Sequence, residues 1–305
     1  MVEWATTKMR ECENGNGPLD HIKNVGLKVC SHWGFDMVGY QIKKFDPNTI
    51  KSSRIIFIIG KRHTGKSILM KDILFHMPRP DFVLAMAPTE DTLQTFREFL
   101  PEACIFDHFS QAKLEQTVAV QKELVKCGKI RDVMIILDDC LYQKNVLKSD
   151  AMRSIFFNGR HDHISLVCAA QYMMDIEVGL RSNIDYVFTM RESILINRQK
   201  LFKYYFGQFR RFEEFDDVMQ ECTHDYKSLV LDGTISSSNP TDSVMWYKSK
   251  VDIPSFKLCK PVFWVLSQKF VRPGHDQVLQ TIHDPNRCGT RTTILLDNDS
   301  ESICR

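Results

Sequence analysis

Three short stretches of this chain hold the residues whose types and spacing could do chemistry together. The first is GKRHTGKS, residues 60–67, which satisfies the spacing G-x-x-x-x-G-K-[ST]. Glycines at both ends of such a loop allow backbone angles and a close approach that a Cβ forbids. Successive N–H groups can then turn inward around phosphate oxygens, aided by the positive end of a helix that begins near Lys66. In this reading Gly60, Lys61, Arg62, His63, Thr64 and Gly65 form the cradle. Lys66 brings its ammonium to the β- and γ-phosphates, and Ser67 offers its hydroxyl to Mg²⁺. Arg62 and His63 read as loop residues that meet phosphate or solvent rather than as catalysts. Eight residues alone are only moderately specific, but the setting narrows them: the apolar run RIIFIIG enters the loop and KSILMKDILFH leaves it at helical spacing.

The second stretch, VMIILDD, ends in Asp138 and Asp139. Two adjacent carboxylates at the tip of a buried strand are costly unless a cation sits opposite. Asp138 is therefore read as holding Mg²⁺, directly or through water, and Asp139 as orienting or deprotonating an attacking water. The third stretch, ISLVCAAQ, ends in Gln171, an amide at the strand edge where open α/β sheets bind ligands. It could hydrogen-bond a γ-phosphate or the attacking water; taken alone, it would pass for a solvated loop residue. A switch GTPase would carry an NKxD motif, which is not found, and a small-metabolite kinase would need an arginine-rich lid. Hydrolysis of ATP by an acid-activated water fits the pattern best.

The elements that must position these residues alternate. Strands are expected at 54–60, 82–88, 132–139, 164–171 and 184–190, with helices at 66–76, 92–100, 111–126 and 151–159 and a helical turn near 174–180. Helices around 197–207 and 212–222 and late strands at 226–231 and 243–248 follow. Strands interleaved with helices predict an α/β fold with a mostly parallel central sheet covered on both faces. We expect an N-terminal extension over 1–50, with an irregular leader and an edge strand within 35–44, an ATPase core over 51–250, and a C-terminal extension over 251–305. In that last part CKPVFWVLSQKF should dock on the core, and the end should fray.

Composition bounds the rest. The 305 residues are 43% hydrophobic, enough for one sizeable core. Forty basic against 38 acidic residues give a formal charge of +2, which neither demands nor excludes a polyanionic partner. Ten cysteines occur without zinc-ligand spacing, and several, such as Cys140 and Cys168, fall in apolar runs. Unpaired thiols in a reducing compartment are the simpler reading. No signal core or run of membrane-spanning length is present, so a soluble, intracellular protein is expected.

Taken in order, GKRHTGKS, the strand ending Asp138-Asp139, GRHDHIS, the strand ending Gln171, and GLRSNIDYVF resemble the poxvirus-type genome-packaging ATPases of large nucleocytoplasmic DNA viruses, part of the FtsK/HerA group of DNA translocases. The similarity covers roughly residues 54–250. It implies a RecA-like core with strand order 5-1-4-3-2. It also implies a homo-oligomeric ring, usually hexameric, that drives double-stranded DNA into a preformed capsid, with capsid or portal components as partners. A viral protein of that kind works in the host cytoplasm at assembly sites and can enter the virion. Gln171 matches the family's sensor glutamine. Arg160 matches an arginine set against a neighbouring subunit's ATP, and Arg181 is a second candidate for that role. A guanidinium forked onto the equatorial oxygens stabilises the charge that spreads there during phosphoryl transfer; a surface salt bridge is the plainer account of Arg160.

DNA contacts should go to phosphate rather than bases, since a packaging motor must accept any sequence. Lys144, Lys148 and Arg153 are candidates, each more ordinarily a solvated charge. Two other classes share the phosphate loop. A nucleotide or nucleoside kinase would phosphorylate an added acceptor, and a non-translocating assembly subunit would associate with ATP without turning it over.

Overall fold

Every residue of IIFII, Ile55–Ile59 (β3), is buried, and alternate side chains serve opposite faces. Ile55, Phe57 and Ile59 enter one hydrophobic cluster, Ile56 and Ile58 another. A strand apolar on both sides demands cover on both sides, and that requirement organises the molecule. The computed structural model describes residues 27–29, 40–140, 146–172, 176–270, 279–282 and 293–296.

The chain runs β1 (Leu27–Val29), β2 (Tyr40–Lys44), β3, α1 (Lys66–His76), β4 (Phe82–Met86), α2 (Glu90–Arg97), β5 (Ile105–Phe106), α3 (Gln111–Lys126), β6 (Val133–Asp138), α4 (Asp150–Asn158) and β7 (Ile164–Ala170). It continues through α5 (Val178–Arg181), β8 (Tyr186–Thr189), α6 (Leu195–Tyr204), α7 (Phe212–Cys222), β9 (Lys227–Asp232), α8 (Pro240–Ser243), β10 (Val244–Lys248) and α9 (Pro261–Phe270). Strands β11 (Leu279–Ile282) and β12 (Thr293–Leu296) pair antiparallel in a separate two-stranded sheet.

The main sheet has ten strands in the order β1-β2-β10-β9-β8-β3-β7-β6-β4-β5. At its centre β8, β3, β7, β6 and β4 are mutually parallel. Numbered among themselves in chain order, they read 5-1-4-3-2, the RecA-like P-loop arrangement that the resemblance implied. The later strands reverse: β9 is antiparallel to β8, and β10 to β9. Strand β2 (Tyr40–Lys44) falls in the stretch expected to form an edge strand, but it is not at the edge: it adds in parallel to β10, and β1 pairs antiparallel outside it. On one face α1 and α2 bring Leu69, Met70, Ile73, Leu93 and Phe96 against Ile56 and Ile58. On the other, α3, α4 and α7 bring Leu114, Val118, Ile155, Phe215 and Val218 against Phe57.

Most expected elements appear with their ends moved by a few residues. The helix expected over 92–100 starts at Glu90, where two acids occupy the first turn and favour its positive end. That expected over 197–207 covers Leu195–Tyr204. Beyond 250, Phe256 stacks on Phe99 with ring centroids 4.9 Å apart, and the Leu258 N–H donates to the Phe99 carbonyl. The leader apart from Leu27–Val29, Lys144 and the last residues fall outside the described part. Among the described residues no helix is long and apolar enough to cross a membrane.

Candidate active site

All the parallel strands end on one edge of the sheet, and the three motifs meet there. The Gly60 N–H donates to the carbonyl of Ala170, which ties the loop's first residue to the end of β7. A Cβ on Gly60 would lie 2.6 Å from Met190 and 2.8 Å from the Thr64 hydroxyl, so the tight turn admits only glycine. Gly65 caps α1 with φ +95, a left-handed angle that a side chain would strain. Inside the loop the Thr64 hydroxyl donates to the Lys61 carbonyl at 2.7 Å. Lys61 reaches across to β8's exit, pairing with Glu192 at 2.6 Å. Arg62, His63 and Ser67 are exposed at the mouth.

Lys66 is buried and its ammonium donates to Asp139 Oδ1 at 3.0 Å. Gln171 donates from Nε2 to Asp139 Oδ2 at 3.4 Å. Asp139 itself has φ 47, an uncommon angle for a residue with a side chain, and its N–H is held by the Ala169 carbonyl at 2.8 Å. The sharp turn aims the carboxylate back over the loop. Asp138 points the other way along the pleat and is 5% exposed. Its Oδ2 accepts from the Thr92 hydroxyl at 2.8 Å, while Oδ1 is buried with no partner among the described residues. Burial pushes this carboxyl above the usual aspartate range; the Thr92 hydroxyl works against the rise, Asp139 adds to it and Lys66 subtracts.

These residues fit a magnesium–nucleotide complex. The donors at the mouth are hard oxygens from Ser67 and Asp138, the set Mg²⁺ takes alongside phosphate and water. The unpartnered Asp138 Oδ1 is a buried acceptor awaiting a donor or cation. Thr92, at the start of α2, was not singled out by sequence reasoning; its place at the carboxyl end of β4 was the available signal.

Arg160 and Arg181 are not part of this cluster. Both lie in connections that lead into strands, Arg160 before β7 and Arg181 before β8, at the opposite edge of the sheet. Arg160 forms an ion pair with Asp185, whose side chain is 1% exposed and which also accepts from Arg54 at 2.9 Å and from the Ile55 N–H at 2.9 Å. The Arg160 side chain remains 63% exposed. Arg181 lies over the Tyr204 ring, 4.6 Å from its centroid. Of the DNA candidates, Lys148 is exposed and Arg153 pairs with Glu177 at 3.4 Å. Cys140 and Cys168 are buried as expected, and burial pushes the Cys140 thiol up to about 12, so it stays protonated.

No family model matches the chain. It is 35% identical over 216 residues to the uncharacterized protein 088R of Invertebrate iridescent virus 3, covering 70% of this chain and 82% of that protein. Against the uncharacterized protein 075L of Invertebrate iridescent virus 6 it is 30% identical over 226 residues, covering 70% and 85%. Among solved structures it is similar to B204, described as the DNA-packaging ATPase of Sulfolobus Turreted Icosahedral Virus, with a TM-score of 0.49 at 15% identity over 66% of this chain and all of that one. The chain belongs to the family of large-DNA-virus proteins of which 088R and 075L are members.

Proposed function

We propose that this protein hydrolyses ATP with Mg²⁺ and couples the turnover to moving double-stranded DNA into a viral capsid, as a homo-oligomeric ring, a hexamer. The observation that carries it is the mouth of the phosphate loop, where Lys66, Asp139 and Gln171 converge beside the unpartnered oxygen of Asp138. Lys66 would leave Asp139 for the β- and γ-phosphates when nucleotide enters. Ser67 and Asp138 would hold Mg²⁺, which supplies charge neutralisation at the phosphates. Freed from Lys66, the Asp139 carboxylate would accept a proton from the attacking water, and the Gln171 amide would orient that water.

The ordered motifs and the membership in a family from large DNA viruses support the packaging part of this reading. Capsid or portal components would be its further partners, and the host cytoplasm and virion its places of work. Arg160, or Arg181, would act on the ATP of the next subunit, since neither lies near the loop of its own chain. DNA would be gripped by phosphate contacts from exposed basic residues such as Lys148. The test is ATP hydrolysis by purified protein with and without random-sequence duplex. Stimulation by duplex supports the reading, and turnover indifferent to duplex removes the DNA part. Transfer of phosphate to an added nucleoside would make the protein a kinase, and ATP-dependent association without turnover would make it an assembly subunit.

A further inference from the structure

Sheet order divides the mouth of the loop into two sides. The catalytic acids lie at the ends of β6 and at the turn after it, on the β7 side of β3, whereas β8 and β9 lie on the other side. On that second side is a cavity of ≈ 270 Å³ lined by His63 and Thr64 of the loop, Arg191 after β8, and Thr223, Asp225, Tyr226 and Lys227 from the turn between α7 and β9. A triphosphate whose γ end meets Lys66, Asp139 and Gln171 must run its nucleoside end away from them, and this cavity is where the loop leads.

The geometry points to this cavity as the nucleobase site, with the Tyr226 ring as the surface on which the base stacks. The inference rests on the phosphate-site reading above and deepens it. Tyr226 is 68% exposed, so its ring is open to a ligand. Its Cδ1 would lie 3.6 Å from a Cβ placed on Gly65, so the ring stands beside the phosphate loop. Asp225 and Tyr226 are consecutive non-glycine residues with φ 54 and 58. Two left-handed residues in succession turn the ring outward, and the turn is closed by the Lys227 N–H donating to the His224 carbonyl at 3.0 Å. His224 in turn meets Arg191 at 3.2 Å. Stacking on an aromatic face suits any base. The polar groups at the rim, His63, Arg191 and Asp225, are exposed and stay hydrated, so they discriminate base edges weakly. The site therefore holds a nucleotide by the face of its base, and GTP should bind within about tenfold of ATP.

Binding of ATP and of inorganic tripolyphosphate, which has no base, separates the two readings. Tyr226→Ala should weaken ATP by about ten- to hundredfold while leaving tripolyphosphate unchanged, and Tyr226→Phe should keep wild-type affinity for both. Loss of ATP and tripolyphosphate affinity together in Tyr226→Ala would make the ring a mere support of the loop and overturn the inference. Unchanged ATP affinity in that variant would overturn it as well, with the phosphate site intact. Failure of the wild-type protein to bind either probe would remove both readings.

Discussion

Two carboxylate centres occupy opposite edges of one sheet, and they are balanced in opposite ways. Where the strands end, Asp138 and Asp139 face a single ammonium among the described residues, Lys66, and one buried oxygen of Asp138 has no partner among them. Where they begin, Asp185 alone faces two guanidiniums, Arg54 and Arg160, and the Ile55 N–H takes its other oxygen. The first centre is short of positive charge and is shaped to receive a cation. At the second both Asp185 oxygens are engaged and the carboxylate braces the starts of β3 and β8, while the Arg54 Nε is buried without a partner among the described residues. Burial of charge is costly in either case, but only a complete set of partners offsets it within the chain. The unpartnered oxygen belongs to the residue next to Asp139, which Lys66 of the loop holds, and that is where the proposed cation would enter. Arg160 is the part of the brace that does not fit a purely structural role, since most of its side chain lies in water.

That contrast can be broken by substitution. Lys66→Ala removes the one cation paired with the acids among the described residues and should raise the nucleotide Kd by at least ~30-fold, read by titration calorimetry. A near-normal Kd would mean the phosphates bind elsewhere. Asp185→Ala leaves a half-buried arginine and a backbone N–H without their acceptor, and should cost about 3–5 kcal/mol, or about 10 °C in Tm. Arg160→Ala deletes a mostly exposed partner of the same carboxylate and should cost no more than about 1 kcal/mol, because Arg54 and the Ile55 N–H remain. Equal losses in those two variants would show that Arg160 belongs to the brace after all.

The smallest effect concerns the clasp between the loop and β8's exit. Burial by itself would raise the Glu192 carboxyl, but the Lys61 ammonium, the Ile194 N–H and the Asn197 amide hold it below the ordinary value of 4.5. A depressed carboxylate contributes stability that is present above its unfolded value and is lost as pH falls through the folded one. Tm should therefore decline below about pH 4.5, and Glu192→Gln should show a shallower decline over that range. Parallel acid limbs for the two proteins would remove the clasp from the account.

Much of the centre of the fold was legible because its strands are apolar on both faces. RIIFII, VMIIL and ISLVCAA are short, β-rich and apolar throughout, as interior parallel strands are, and such strands carry the loop, the acid pair and Gln171 at their ends. The motifs therefore came with their placement. What the sequence did not disclose depends on long separations. Thr92 meets Asp138, and Arg160 meets Asp185, across whole intervening elements, and a local pattern does not state a pairing over such a separation. The two-residue β5 is too short to carry an alternation. The Tyr226 cavity draws on segments that meet only because β9 turns back antiparallel beside β8. Arg160 was legible as an arginine of interest, but its cis partner was not, and that partner bears directly on what it can do.

The most direct test of the central claim is turnover and binding of ATP by Asp139→Asn with Mg²⁺. The substitution keeps the size of the side chain and removes the carboxylate that Lys66 and Gln171 share. The account predicts nucleotide affinity at or above that of the wild type, since Lys66 is released, with turnover reduced by about 10²–10⁴-fold. Turnover at the wild-type rate with Asn at this position would contradict it.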